Sequence, residues 1–239
     1  MNNQAGHASG ARVPTILEAV GIEKTYKIDS TTIPVLRGVS FTVEAGKTMS
    51  ITGASGAGKS TLLHILGGLD QPSNGKVLFA GMDLYSLSGS KRADIRARRV
   101  GFVFQSYHLL PELDIQENVM LPAMSQWGAL RSISRHRQRA LELLECVGLG
   151  QRAGHRPAEL SGGEQQRAAL ARSLMNEPEI VFADEPTGNL DSQTGQQVLE
   201  YLFKLTRDRG HTLIVVTHND AVARLCDRQM VLKDGCLAS

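Results

Sequence analysis

The sequence lacks an apolar run long enough to cross a membrane. A spanning helix needs about 18 or more consecutive apolar residues, and none of the 239 residues lie in such a run. The first segment, MNNQAGHASGARVP, also lacks the apolar central region of a signal peptide. We therefore expect a disordered tail over residues 1–14, and attachment to a membrane only through a partner.

Cysteine and unbalanced charge are also scarce. The three cysteines, Cys146, Cys226 and Cys236, are odd in number and form no CxxC pair, which argues against a disulfide framework and a zinc site. Reduced thiols of a cytosolic protein are the simple expectation. Lys and Arg total 26 against 24 Asp and Glu, so the net charge is +2. This balance gives no reason to expect a nucleic-acid partner.

What the chain does contain is an alternation of strand and helix patterns. Strands are predicted between 16 and 52 and at 76–81, 100–105, 179–184 and 212–218, and helices at 59–66, across 106–160, from 161 and near 192–209. Such alternation predicts a mostly parallel sheet with helices on its faces, interrupted by a helical insert. No internal repeat is present, and we expect no appended regulatory domain after the last strand.

The segment GASGAGKS, residues 53–60, follows a predicted strand and precedes a predicted helix. It matches the P-loop pattern, in which glycines let backbone N–H groups surround phosphates. Lys59 is expected to reach the β- and γ-phosphates, and the Ser60 hydroxyl to bind Mg²⁺. An ordinary glycine turn before a helix is the alternative, which this context disfavours. The predicted phosphate-binding residues are Gly53, Ala54, Ser55, Gly56, Ala57, Gly58, Lys59, Ser60 and Thr61.

Acidic residues follow the apolar strand that ends in IVFAD. Asp184 closes this strand, where the carboxyl end of a parallel strand faces the ligand crevice, and is expected to help hold Mg²⁺. Glu185 comes next and is placed to act as general base on the attacking water. His218 follows the strand TLIVV; on spacing alone, a buried structural histidine and a catalytic residue are both open readings.

LSGGE, residues 160–164, begins a helix unusually. Ser161 and Glu164 have the spacing of a capping box, yet Gly162 and Gly163 stand between them, and each glycine costs a helix about 1 kcal/mol relative to alanine. Close approach to the backbone is one physical reason for accepting that cost. Because a helix N-terminus attracts anions, we expect an anion to be what approaches.

Taken together, these motifs make the chain similar to the ATP-binding subunits of ABC transporters, over about residues 16–237. The resemblance implies an α/β P-loop NTPase fold of RecA-like type with a mostly parallel sheet, an antiparallel β subdomain and an inserted helical subdomain. We expect one ABC domain over 15–239, with the helical subdomain at about 106–162. The function implied is ATP hydrolysis with Mg²⁺, at the cytoplasmic face of the inner membrane, powering a transmembrane permease partner.

The resemblance also assigns roles that spacing alone does not. Tyr26 would stack on adenine, and Gln105 would contact Mg²⁺ or the attacking water. His218 would contact the γ-phosphate, and Asp191 would signal across a dimer. LSGGE would bind the γ-phosphate held by a second chain, so two ATP molecules would lie between two ATPase subunits, expected to be identical. The residues so placed are Ser161, Gly162, Gly163 and Glu164.

A finer resemblance concerns the segments HILGGLDQPSNGKV, HLLPELDIQENVMLP and ADEPTGNLD. They resemble the group of LolD, MacB, FtsE and YbbA subunits, and HLLP favours the lipoprotein-releasing members. The alternatives are an FtsE-like regulator of a cell-wall hydrolase and a MacB- or YbbA-type efflux ATPase. A DNA-maintenance ATPase is a third class, but residues 105–160 contain neither the sustained heptads nor the CxxC pairs of such proteins.

Some residues are ambiguous from sequence. The basic runs 91–99 and 131–139 are typical of solvated helix faces, with contact to acidic lipid or a partner as the alternative. Tyr107, Leu109 and Leu110 suit either the core or a groove for the membrane partner. Trp127 and His64 are interpreted as packing residues.

Overall fold

The structure, a computed structural model, describes residues 13–126 and 129–238. Trp127 and almost all of the predicted tail therefore lie outside the described residues. Across the described ranges, no helix combines the length and the apolar character that a membrane crossing needs.

Strands and helices alternate along the described chain. The strands are β1 (Thr15–Ile28), β2 (Thr31–Glu44), β3 (Thr48–Thr52), β4 (Asn74–Phe79), β5 (Met82–Asp83), β6 (Val100–Val103), β7 (Ile180–Asp184), β8 (Thr212–Val216), β9 (Arg228–Lys233) and β10 (Cys236–Leu237). The α-helices are α1 (Lys59–Leu66), α2 (Gly89–Arg99), α3 (Ile115–Met124), α4 (Ile133–Cys146), α5 (Gly162–Ser173), α6 (Ser192–Asp208) and α7 (Asp220–Ala223). Short 3₁₀ turns lie between several of them.

Two sheets organise the fold, as the sequence predicts. Strands β2, β1, β4 and β5 form an antiparallel sheet in that order, and the second sheet has the order β10-β9-β3-β8-β7-β6. In the second sheet β9, β3, β8, β7 and β6 pair in parallel, and β10 adds an antiparallel edge. The predicted half-buried antiparallel strand is confirmed, since β2 pairs antiparallel with β1 and Val39, Phe41 and Val43 are buried while the residues between them are exposed.

The parallel sheet separates two hydrophobic cores. Along β7, Ile180 and Phe182 pack with α1 and the antiparallel sheet, whereas Val181 and Ala183 pack with the helices on the opposite face. Strand β8 divides its side chains in the same way. All residues of β7 and β8 are buried, which suits strands covered on both faces.

Strand β6 differs from its prediction. A buried strand is predicted over 100–105, but β6 ends at Val103 and its burial alternates, with Phe102 only partly buried. The reason is position, since β6 is the edge strand of the parallel sheet. The shorter strand leaves Gln105 in the following loop.

The helical segment after β6 begins with a capped helix. Asp114 and Glu117 form a capping box at the start of α3. The buried Asn118 side chain accepts a hydrogen bond from the Leu110 N–H and donates to the Leu110 carbonyl. The bounds of the helical subdomain remain a prediction. The basic run 91–99 lies on α2, which has no buried residue, as the solvated-face interpretation expects.

A candidate nucleotide site at the carboxyl edge of the parallel sheet

The P-loop connects β3 to α1, and α1 has the bounds that the sequence predicts. At two positions of the P-loop only glycine fits, because φ is positive and a side chain would clash with a neighbouring strand. Gly53 has φ +150°, and an added Cβ would lie 2.1 Å from the Leu232 carbonyl oxygen. Gly58, with φ +98°, would place a Cβ 3.0 Å from the Val35 carbonyl oxygen. The loop therefore packs tightly against β9 and β2, which fixes its path.

Lys59 and Ser60 lie where the loop becomes a helix. The Lys59 ammonium donates hydrogen bonds of 3.0 Å to the carbonyls of both Gly53 and Ala54, and the residue is 8% exposed. The Ser60 hydroxyl lies 3.0 Å from Oδ1 of Asp184. This contact joins the P-loop helix to the end of β7.

A cavity of about 620 Å³ opens over this edge. Because the strands are parallel, the segments that follow β3, β6, β7 and β8 all emerge at one edge of the sheet. Most of the residues predicted to bind phosphate or to act on the attacking water therefore lie around one cavity. The cavity is lined by Gly53, Ala54, Ser55, Gly56, Gly58, Lys59, Ser60, Gln105, Glu185 and His218.

Glu185 and His218 are held against each other. His218 Nδ1 lies 2.8 Å from Glu185 Oε1. Glu185 has φ +44°, and its N–H donates to the Val216 carbonyl at 2.9 Å. His218 stands two residues beyond the end of β8, and its side chain is 71% exposed against 16% for Glu185. The reading of His218 as a buried structural histidine is therefore wrong.

Asp184 is the buried carboxylate of the site, at 9% exposure. Desolvation raises its pKa, although the hydrogen bond from Ser60 acts in the opposite direction. The pair supplies carboxylate and hydroxyl oxygens, the ligand type that Mg²⁺ prefers. A divalent cation beside Ser60 would offset the desolvation of Asp184, so these residues fit a magnesium site. In the described ranges no group of three or more His, Cys, Asp or Glu could hold a metal by itself.

Gln105 is fixed by a residue for which the sequence suggested no role. Its Nε2 donates to Asn189 Oδ1 at 3.2 Å, and Asn189 Nδ2 donates back to the Gln105 carbonyl at 3.1 Å. A Cβ on Gly188 would lie 2.7 Å from Gln105 Nε2. The loop after β6 is therefore hydrogen-bonded to, and closely packed against, the loop after β7.

The capping box of LSGGE is confirmed. Ser161 caps α5, and Glu164 Oε2 accepts hydrogen bonds of 2.8 Å from both the N–H and the hydroxyl of Ser161. The backbone and hydroxyl hydrogen bonds from Ser161 lower the pKa of Glu164. None of Ser161, Gly162, Gly163 or Glu164 lines the cavity described above.

Both glycines of LSGGE approach neighbours within their own chain. A Cβ on Gly163 would lie 2.1 Å from Thr194 Cγ2 on α6, and a Cβ on Gly162 would lie 2.8 Å from the Tyr107 hydroxyl. The close approach inferred from the sequence therefore has an internal component, in addition to any anion. Sequence reasoning missed Thr194, and also Gln166, whose buried side chain donates to the carbonyls of Phe104 and Pro186.

Two further predicted residues lie at the periphery. Asp191 caps α6, accepting from the N–H groups of Gln193 and Thr194, which lowers its pKa. Tyr26 lies on β1, outside the cavity lining, with its hydroxyl 2.6 Å from Asp70 Oδ2. His64 packs edge-on against Phe104, in agreement with its interpretation as a packing residue.

Comparison with known proteins gives consistent matches over most of the chain. Residues 36–188 match the family described as ABC transporter. The lipoprotein-releasing system ATP-binding protein LolD of Syntrophus aciditrophicus is 48% identical over 220 residues, which cover 92% of this chain and 97% of that protein. The macrolide export ATP-binding/permease protein MacB of Syntrophobacter fumaroxidans is 45% identical over 222 residues, or 93% of this chain and 31% of that protein.

A solved structure shows the same similarity in three dimensions. It is the dimeric ATP-binding cassette MJ0796 in a post-hydrolysis state bound to ADP and Pi. The two chains superpose with a TM-score of 0.83 and are 41% identical, over 93% of this chain and 97% of that one.

Proposed function

The chain belongs to the ABC transporter family, and we propose that two copies of it hydrolyse ATP to drive lipoprotein release by a membrane-spanning partner. The observation that carries this proposal is the cavity in which the P-loop, Gln105, Glu185 and His218 converge. The match to LolD proteins over nearly their full length supports the finer assignment to lipoprotein release.

The residues around the cavity have complementary tasks. The loop N–H groups and Lys59 would bind the phosphates of ATP, and the base would lie near Tyr26. Glu185 would accept a proton from the attacking water while the oxygen of that water bonds to the γ-phosphorus. The bond from the γ-phosphorus to the bridging oxygen would break, and the bridging oxygen would leave with ADP. His218, through its 2.8 Å contact, holds one Glu185 oxygen in place, and its exposed ring faces the same cavity.

Magnesium would be held by Ser60, with Asp184 and Gln105 close to it. Bound there, the ion would neutralise charge on the phosphate oxygens. Ser60 and Asp184 are already in contact at 3.0 Å, so the protein brings its own oxygen ligands together without large rearrangement.

A second copy is needed to complete the site. Ser161 and the glycines lie outside the cavity lining of their own chain, and the similar cassette MJ0796 is dimeric with bound ADP and Pi. We propose that the N-terminus of α5 binds the γ-phosphate held by the partner copy. Ser161 would then exchange its hydrogen bond with Glu164 for one with phosphate, and Asp191 would lie near the interface.

The membrane partner would bind beside the loop that follows Gln105. Leu110 is 45% exposed, so it is not a core residue, whereas Leu109 packs against the helical core. A second cavity of about 400 Å³ adjoins this segment and includes Phe102, His108 and Arg172 in its lining. Arg172 of α5 donates to the carbonyls of Tyr107 and His108. These hydrogen bonds connect the lining of this cavity to α5, the helix proposed to bind the partner's γ-phosphate. Such binding would place the chain at the cytoplasmic face of the inner membrane.

A MacB-type efflux ATPase is the second candidate. The MacB relative is 45% identical, yet this chain covers only 31% of that protein, which is described as a combined ATP-binding and permease protein. The coverage of 97% of a LolD protein favours the separate-subunit assignment.

The test separates assembly from transport. Light scattering of the Glu185→Gln chain should show dimers with ATP, and the additional Ser161→Arg substitution should abolish them while nucleotide still binds. Dimers in both variants would refute binding by α5 in trans. For transport, inner-membrane vesicles with chain and partner should release lipoproteins only with ATP, and Lys59→Ala should stop release. Release that persists with Lys59→Ala would exclude the assignment.

A further inference from the structure

Lys24, Tyr26 and Asp70 form a hydrogen-bonded cluster outside the cavity lining. The Tyr26 hydroxyl lies 2.6 Å from Asp70 Oδ2, and the Lys24 ammonium lies 2.7 Å from Asp70 Oδ1. Lys24 also donates to the Gln71 carbonyl at 2.7 Å. Burial opposes ionisation of Asp70, but the hydrogen bonds from Lys24 and Tyr26 outweigh it and lower the pKa of the carboxyl. Both oxygens of one carboxylate are thus occupied by β1 side chains.

The position of Asp70 is fixed by the far end of the P-loop helix. The N–H groups of Leu69 and Asp70 donate to the His64 carbonyl, at 2.8 and 3.2 Å. The hydroxyl of Tyr85 lies within hydrogen-bond distance of the carbonyls of Ile65 and Asp70. Helix α1 has eight residues and so spans about 12 Å. Its first turn belongs to the phosphate loop, and its last turn holds the carboxylate that binds Tyr26.

The Tyr26 ring is restrained but not buried. Residues two apart on a strand share a face, and the Lys24 ammonium lies 4.6 Å from the centroid of the Tyr26 ring. The residue is nevertheless 37% exposed, and its partner across the β1–β2 ladder, Ile33, is 41% exposed. Val35, further along β2, contacts the P-loop at Gly58. An aromatic and an aliphatic side chain thus stand exposed beside the phosphate loop.

We propose that Asp70 and Lys24 are positioning residues that hold the Tyr26 ring in the orientation that receives the base of a nucleotide. The proposal rests on the proposed function, since it assumes that the phosphates of that nucleotide lie in the P-loop. Without Asp70, the Tyr26 hydroxyl and the Lys24 ammonium both lose their shared acceptor. The freed ring would then have to be ordered when the nucleotide binds, which weakens binding of the base but not of the phosphates.

Two probes distinguish these effects. Calorimetry would measure the dissociation constants of ATP and of inorganic triphosphate, which has the phosphates but no base, in the Glu185→Gln Ser161→Arg background, in which ATP should bind without hydrolysis or dimerisation. Asp70→Ala should weaken ATP binding by roughly 2- to 12-fold, the cost of ordering one freed side chain. Triphosphate binding should not change. Tyr26→Phe, which keeps the ring and removes the hydroxyl, should weaken ATP binding to a similar extent.

The double variant supplies the sharper criterion. Asp70→Ala with Tyr26→Phe should bind ATP no more weakly than the weaker single variant, because both changes break the same contact. Asp94→Ala is the matched control, since this acid is paired with Arg98 on exposed α2 and should affect neither probe. Additive losses, an unchanged ATP affinity, or equal weakening of both probes would each overturn the proposal. If the parent chain binds neither probe, the proposed function itself fails. If triphosphate binds and the variants leave ATP affinity unchanged, only the positioning of Tyr26 by Asp70 and Lys24 is refuted.

Discussion

Replacing Gly163 by alanine should reveal why a helix begins with two glycines. An added Cβ would lie 2.1 Å from Thr194 Cγ2, and the next nearest atom, Thr194 Cβ, would be at 3.6 Å. Overpacking of this kind costs about 1–3 kcal/mol, and replacing glycine by alanine in a helix returns up to about 1 kcal/mol. The free energy of unfolding should therefore fall by about 0–3 kcal/mol.

Removing the clashing methyl group should reverse the sign. Thr194→Ser deletes Cγ2 and keeps the backbone N–H that bonds to Asp191. In that background Gly163→Ala meets only ordinary contacts, so it should stabilise the chain by up to about 1 kcal/mol. For a chain of this size each 1 kcal/mol shifts Tm by about 2–4 °C, so calorimetric melting can resolve the difference. Gly89→Ala, at the start of α2 with nothing within 4 Å, is the control.

Equal effects of Gly163→Ala in the two backgrounds would refute the packing explanation. The rescued double variant also separates packing from binding. If it folds and hydrolyses ATP normally, Gly163 serves packing alone. If it folds and loses ATP-dependent dimers, the backbone at this position must also stay clear for phosphate.

Three further outcomes follow from the structure. Glu185→Gln should retain ATP binding but lower turnover by roughly 10²–10⁴-fold, the range for loss of a general base, and near-normal turnover would remove Glu185 from that role. Leu110→Asp should fold, because the residue is 45% exposed, yet release the chain from membranes in sedimentation, whereas Leu225→Asp at 47% exposure should not. Burial lowers the pKa of His211 below 6.5, so its protonation is unfavourable in the folded state and stability should fall as pH drops below that value. His211→Gln should shrink the difference in Tm between about pH 7 and pH 5; an unchanged difference would contradict this assignment.

The sequence predicts those parts of the site whose geometry is local. The bounds of α1, the capping box of Ser161 and Glu164, and the convergence of the P-loop with Glu185 follow from strand and helix patterns, because parallel strands end at one edge. The family similarity, and with it the ATPase assignment, also follows from motifs of short spacing.

Contacts between distant segments could not be predicted in this way. Thr194 meets Gly163 across two helices, Asn189 pairs with Gln105, and Asp70 holds Tyr26. None of these pairs leaves a periodic signal, because each depends on how separate elements pack. The alternating burial of β6 cannot be predicted for a similar reason, since edge position is a property of the sheet order rather than of the strand.

The alternation of β7 between two cores has a consequence for how the sequence can change. Phe182 packs with the layer formed by α1 and the antiparallel sheet, and its neighbour Val181 packs with the helices on the other face. A substitution that alters the volume of Phe182 should therefore be compensated in the first layer, and one at Val181 in the second. Substitutions at two adjacent positions of one strand would thus be correlated with substitutions in two different layers. The sequence of each layer could change independently of the other, although both pack on the same strand.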